Sequence, residues 1–157
     1  MPYSRLLRER RIRKHRTNAQ EIANLFEVMK RDLADASITQ LSPDRRFATA
    51  YNAVLQAAKA IMYCEGYRTG GSGHHSTTFE FLRIALGPDY EALVDYFDHC
   101  RIKRNIADYV GAGSISETEA EDLLGEARTF AQTARAWIKA NHPELAGWKR
   151  RHHAQES

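Results

Sequence analysis

Between positions 101 and 109 the chain reads RIKRNIADY, a run that gathers groups able to handle an anion. Arg101, Lys103 and Arg104 are cations, Asn105 is an amide and Tyr109 a phenol. A guanidinium forks onto a phosphate through two parallel N–H···O bonds, and a neighbouring amide can orient the same group. On a helix Arg101, Asn105 and Asp108 lie near one side, Arg104 sits one position round, and Tyr109 lies a little over one turn along. The same spacing also supports a purely structural arrangement, in which Arg104 pairs with Asp108 at i, i+4 and Tyr109 covers the core.

A second group of chemically able residues surrounds the stretch YRTGGSGHH at 67–75, where Arg68 is followed by a glycine-rich loop, His74 and His75. A loop histidine beside an anion site could touch phosphate, or it could serve as a linker or partner contact. The glycines could cradle a phosphate, but no Gly-Lys-Ser/Thr ending follows them and no strand precedes them, so a P-loop is not expected. His99 and Cys100 are adjacent, and adjacent helical side chains point about 100° apart, so they do not make a nucleophile–base pair. His142, His152 and His153 have no Cys or carboxylate at ligand spacing, and no structural zinc is expected.

These residues need a scaffold, and the hydrophobic periodicity supplies a helical one. Asn18 can cap a first helix carrying Ile22, Leu25, Phe26, Met29 and Leu33 at three- and four-residue steps. Ser42-Pro43 starts a second, with Phe47, Tyr51, Val54, Leu55, Ala58, Ile61 and Met62 on one stripe, ending near Glu65-Gly66. Thr77 with Glu80 reads as a capping box for a short third helix through Phe79, Leu82 and Leu86, stopped by Gly87-Pro88. A fourth runs from about Asp89 through Tyr90, Leu93, Val94 and Phe97 into the polar run, and ends at Gly111-Ala112-Gly113. Ser116 and Glu119 form another box, before Leu123, Ala127, Phe130, Ala134, Trp137 and Ile138. No strand signal competes. The expected fold is all-α, an antiparallel bundle of four to five helices with basic N- and C-terminal extensions. The aromatic residues at helical spacing read as core and not as a base-stacking platform.

The length of 157 residues suits one core, divided as a basic arm at 1–17, a bundle at 18–142 and a basic tail at 143–157. No apolar run approaches the roughly 20 residues needed to span a bilayer, and no secretory leader is visible, so a cytoplasmic location is expected. Cys64 and Cys100 fall inside helical patterns and read as reduced thiols. Residues 1–16 hold seven Lys/Arg against Glu9, a net +6, and the tail from Lys149 adds +2; with +3 overall, the body between them carries −5. Basic arms on an acidic body suit a polyanion or an acidic partner surface, and equally a solvated, solubilising helix start.

Three segments together resemble a HEPN domain, a helical nucleotide-binding domain of prokaryotic conflict systems. Residues 42–66 (SPDRRFATAYNAVLQAAKAIMYCEG) are similar to its second helix, 67–86 to the following loop and short helix, and 101–138 to its motif helix and final helix. The resemblance implies a homodimer whose two motif helices face each other, with RNA as partner. It further implies a nucleotidyltransferase-type antitoxin or other operon-encoded protein as a possible further partner, and neither metal nor cofactor. Active members are metal-independent endoribonucleases with an Arg-Asn…His motif. Arg104 and Asn105 match the Arg-Asn, with Arg101, Lys103, Arg68 and His74 as candidate RNA or phosphate contacts.

No His follows Asn105 at the motif's short spacing; Tyr109, four residues on, ends an Ala-Asp-Tyr run that resembles a HEPN subgroup. A phenol of pKa near 10 is only about a thousandth ionised at pH 7, a poor general base but a usable donor. Three roles stay open for Tyr109: proton donor, target of AMP transfer by an antitoxin, and purely structural residue. Two functions follow for the chain. It is a ribonuclease of a defence or toxin–antitoxin system, or a catalytically inactive RNA- or protein-binding module.

Overall fold

The computed structural model describes residues 1–147. In chain order it contains α1 (Ser4–Arg8), β1 (Ile12–Lys14), α2 (Ala19–Ala36), α3 (Pro43–Cys64), β2 (Tyr67–Thr69), α4 (His74–Leu86), α5 (Glu91–Val110) and α6 (Glu117–Asn141), with short 3-10 turns at Pro88–Tyr90 and Pro143–Leu145. The five expected helices are α2 to α6. Trp148, the basic residues from Lys149 and the pair His152-His153 lie outside the described residues.

α3 is the hub because it is apolar around much of its circumference. It buries Ala50, Ala53, Ala57, Ala58 and Ala60 beside Phe47, Tyr51, Val54 and Ile61. Alanine faces let neighbouring helices approach closely, and α2 and α6 both pack along α3. α4 and α5 complete the layer through Phe79, Phe97 and Phe130, whose rings follow one another at 6.5 and 5.1 Å. Polar ties cross the same seams. Asn52 Nδ2 donates to Asp32 Oδ2 at 2.6 Å, and Arg46, fully buried, donates from Nε to the Ala36 carbonyl at 2.9 Å and pairs with Glu121.

Of the four helix starts for which the sequence offers a capping side chain, three form as it dictates. The Asn18 side chain accepts the Glu21 N–H at 2.8 Å, and Ser42 accepts that of Arg45 with Pro43 in the first turn. Ser116 and Glu119 exchange both bonds of a capping box at 3.1 and 2.9 Å. The fourth start is displaced. α4 begins at His74, three residues before the Thr77–Glu80 pair, because Gly73 at φ +70° turns the chain into the helix. Both members of the expected box are engaged elsewhere: Thr77 Oγ1 accepts Arg11 Nε at 3.1 Å, and Glu80 accepts Arg11 Nη1 at 2.6 Å and Arg5 Nη2 at 3.3 Å.

Those contacts show what the basic N-terminal residues do. α1 and β1 dock on the bundle, and β1 pairs antiparallel with β2 in the register Ile12↔Thr69, Arg13↔Arg68, Lys14↔Tyr67. Tyr3, Leu6, Ile12, Met62, Tyr67 and Phe81 form a second small core under this ribbon, with the Tyr3 and Phe81 rings stacked at 4.1 Å. The expectation of no strand therefore needs correcting for two three-residue strands. Each holds one buried apolar residue within a charged or polar run, too short for a period-2 pattern to register. α1 closes with Arg10 at φ +58°, Arg11 N–H bonding Leu6 O and Arg10 N–H bonding Leu7 O, both at 3.0 Å, the paired bonds of a Schellman ending.

Candidate functional site

The buried stripe of α5 runs Val94, Phe97, Cys100, and the same three- and four-residue steps continue it to Arg101 and Arg104. Arg104 thus faces α3, where its apolar predecessors face, and not open solvent. Its guanidinium carbon lies 5.4 Å from the centre of the Tyr51 ring, a cation–π contact, and its Nε is sealed from solvent with no hydrogen-bond partner. No Arg104–Asp108 ion pair forms among the described residues, and Tyr109 is 94% exposed, so the helix-closing arrangement expected as the structural alternative is not the one adopted.

Tyr51, 1% exposed, is the floor of the site. Its hydroxyl lies 3.0 Å from His75 Nδ1, so α3, α4 and α5 each contribute one side chain: Tyr51, His75 and Arg104. Arg101 stands beside them, its Nε donating to Asp98 Oδ1 at 2.8 Å. Burial raises the Tyr51 pKa, and the nearby Arg104 and Arg101 charges pull it down without overcoming burial, so the phenol stays protonated. Burial also lowers the His75 pKa, with Arg104, Arg101, His74 and Lys59 adding positive charge nearby, so the imidazole is neutral at pH 7. A neutral histidine, a protonated phenol and a guanidinium with an unused N–H converge on one spot. In such a set the guanidinium can hold an anion and the neutral imidazole can move a proton.

The other expected site residues go elsewhere. Asn105 and Tyr109 lie on the outward face of α5, lining a shallow concavity with Ile102, Ile106 and Val110. Lys103 pairs with Glu119, the capping residue of α6. Arg68 is opposite Arg13 in the ribbon, and His74, exposed, sits against Thr69 Oγ1 at 3.4 Å and the Gly71 carbonyl. The histidine that reaches Arg104's neighbourhood is His75. A signal for it existed: stepping back four residues from the Phe79–Leu82–Leu86 stripe lands on His75 and not on His74. Cys64 and Cys100 are buried free thiols, and burial pushes them up to about 12 and about 11. Among the described residues no three His, Cys, Asp or Glu side chains gather where they could hold a metal ion, and no helix is long and apolar enough to cross a membrane.

A family model described as SAV_6107-like HEPN matches residues 36–135. The chain belongs to this HEPN family. The match begins at the last residue of α2 and ends in α6, so it includes Tyr51, His75 and Arg104 and leaves out the N-terminal ribbon strand β1. No curated protein and no solved structure matches the chain. The helical bundle expected from the sequence is the fold of this HEPN domain.

Proposed function

We propose that this HEPN protein binds RNA, gripping a backbone phosphate with Arg104, and serves a prokaryotic defence or toxin–antitoxin system in the cytoplasm. One observation carries the reading: a guanidinium fixed on a tyrosine ring with a buried N–H that no protein acceptor satisfies. A buried donor without a partner costs about 1–3 kcal/mol, so Nε is not satisfied by the fold itself; Arg104 as a residue is only half-buried, and a phosphate meeting the rest of its guanidinium gains charge-assisted bonds. The +6 charge of residues 1–16 gives a polyanion a second, sequence-independent attraction.

A homodimer belongs to the same reading. The outer face of α5 exposes Ile102, Ile106, Tyr109 and Val110, by 44%, 54%, 94% and 69%. A twofold contact of this face with a second copy would cover that apolar strip and bring two motif helices together. Asn105 and Tyr109 then belong to the dimer seam, which accounts for their separation from Arg104.

The test is binding of a fluorescein-labelled, single-stranded 2′-O-methyl RNA followed by anisotropy. Arg104→Ala is expected to weaken binding by roughly 10-fold or more, the loss of a charge-assisted contact, while the exposed Arg128→Ala control changes it less than threefold. Equal losses for both variants would reduce Arg104 to general charge, and absence of binding by the unaltered protein would remove the reading.

A further inference from the structure

His75 has no place in the Arg-Asn run of α5, yet it is the imidazole that the fold sets beside Arg104. It stands in the first turn of α4 on the stripe that continues through Phe79 and Leu82, so packing of α4 against α3 fixes its direction. Tyr51 holds its Nδ1 at 3.0 Å, and Nε2 has no hydrogen-bond partner among the described residues. The charged and titratable groups around it are Tyr51 and Lys59 on α3, Arg101 and Arg104 on α5, and His74 on α4; the Asp98 carboxylate of the same cluster is taken up by Arg101 and makes no ion pair with His75. A histidine in such surroundings is not kept for an ion pair. Its free nitrogen is aimed by a buried hydroxyl, and it keeps cationic company that would suit a phosphate.

We propose that His75 is the proton-transfer residue for RNA cleavage at the phosphate held by Arg104, an assignment that rests on the RNA-binding reading. In the tautomer that carries its proton on Nδ1 and donates it to the Tyr51 oxygen, Nε2 keeps its lone pair and accepts the proton of the ribose 2′-OH. The 2′ oxygen bonds to phosphorus and the bond from phosphorus to the 5′ oxygen breaks. Arg104 faces the charge that gathers on the non-bridging oxygens. The departing 5′ oxygen takes a proton from water, and the imidazolium returns its own to the hydroxide so formed. The products are a 2′,3′-cyclic phosphate and a 5′-hydroxyl end. Tyr51 is a positioning residue: it fixes which imidazole nitrogen points outward. Neutrality of His75 at pH 7 agrees with a base that is ready before substrate arrives.

The experiment uses one oligoribonucleotide in two forms, 2′-O-methyl for binding and unmodified for cleavage, with the full chain in EDTA. His75→Gln keeps a side chain able to bond Tyr51 and should bind the methylated RNA within threefold of the unaltered protein. Cleavage of the unmodified RNA should fall by about 10²–10⁴-fold, and the acid limb of the kcat/KM profile, with its midpoint below the ordinary histidine value, should vanish. Retained binding also reports that the variant folds. Cleavage by His75→Gln at a comparable rate would overturn the proposal and leave RNA binding standing. Binding without any cleavage by the unaltered protein would do the same. Neither binding nor cleavage would overturn both readings.

Discussion

Replacing Tyr51 by Phe removes one oxygen and leaves the ring, so the contacts with Phe79 and the Arg104 guanidinium persist while the bond to His75 is lost. A net hydrogen bond contributes about 1 kcal/mol, and leaving a buried partner unsatisfied adds up to about 2 more. His75 is only half-buried, so water can reach Nδ1 and the cost settles at about 1–2 kcal/mol. His75→Ala strands the Tyr51 hydroxyl, which sits at 1% exposure, and costs at least as much. The double variant loses the bond only once. Urea denaturation of the four proteins should therefore give a coupling energy of about 1 kcal/mol, and each single variant should melt about 2–8 °C lower. Strictly additive losses would mean that Tyr51 and His75 do not act on each other, and the three-helix site would lose its floor.

Stability should also depend on pH through His75. Its pKa is lowered by burial and then by the Arg104 and Arg101 charges, so the folded protein resists a proton that the unfolded chain accepts near pH 6.5. Its contribution is full above that pH and is lost as pH falls through the folded value; the stability difference between the unaltered protein and His75→Gln should shrink over that window, and a constant difference would contradict the shift. Arg10→Gly should raise stability by about 0.5–1 kcal/mol, because glycine occupies the left-handed end of α1 without strain, and a lower melting temperature would show that the Arg10 side chain makes a compensating contact. Asp44→Ala should cost about 1.5–3 kcal/mol in urea denaturation, since its carboxylate accepts the Gly113 and Ile115 N–H groups at 2.8 and 3.2 Å and so ties down the loop between α5 and α6; an unchanged midpoint would contradict this.

Which parts of this molecule could be read from its sequence follows from the range of the interactions involved. Asn18, Ser42 and Ser116 cap through residues three positions away, so their helices were legible in local spacing. Thr77 and Glu80 satisfy the same local rule, yet Arg11 and Arg5, more than 60 positions away, hold them instead. The ribbon was illegible for a related reason: Ile12 and Tyr67 are buried only because each covers the other's side of a small core. Arg104 was legible as a residue of interest but not as a half-buried one, because a cation on a core stripe reads as the stripe's end. Tyr51 turns that end into a site. His75 was hidden by placing the start of α4 at Thr77, which left both histidines in a loop with no face to assign.

RNA binding at Arg104 is decided by where a backbone phosphate lies. A crystal structure of the protein with a bound single-stranded 2′-O-methyl oligonucleotide should place a non-bridging phosphate oxygen 2.7–3.2 Å from the Arg104 guanidinium, with His75 Nε2 facing the neighbouring ribose. RNA lying on the ribbon or the outer face of α5, with Arg104 still turned to Tyr51 and no phosphate near it, would contradict it.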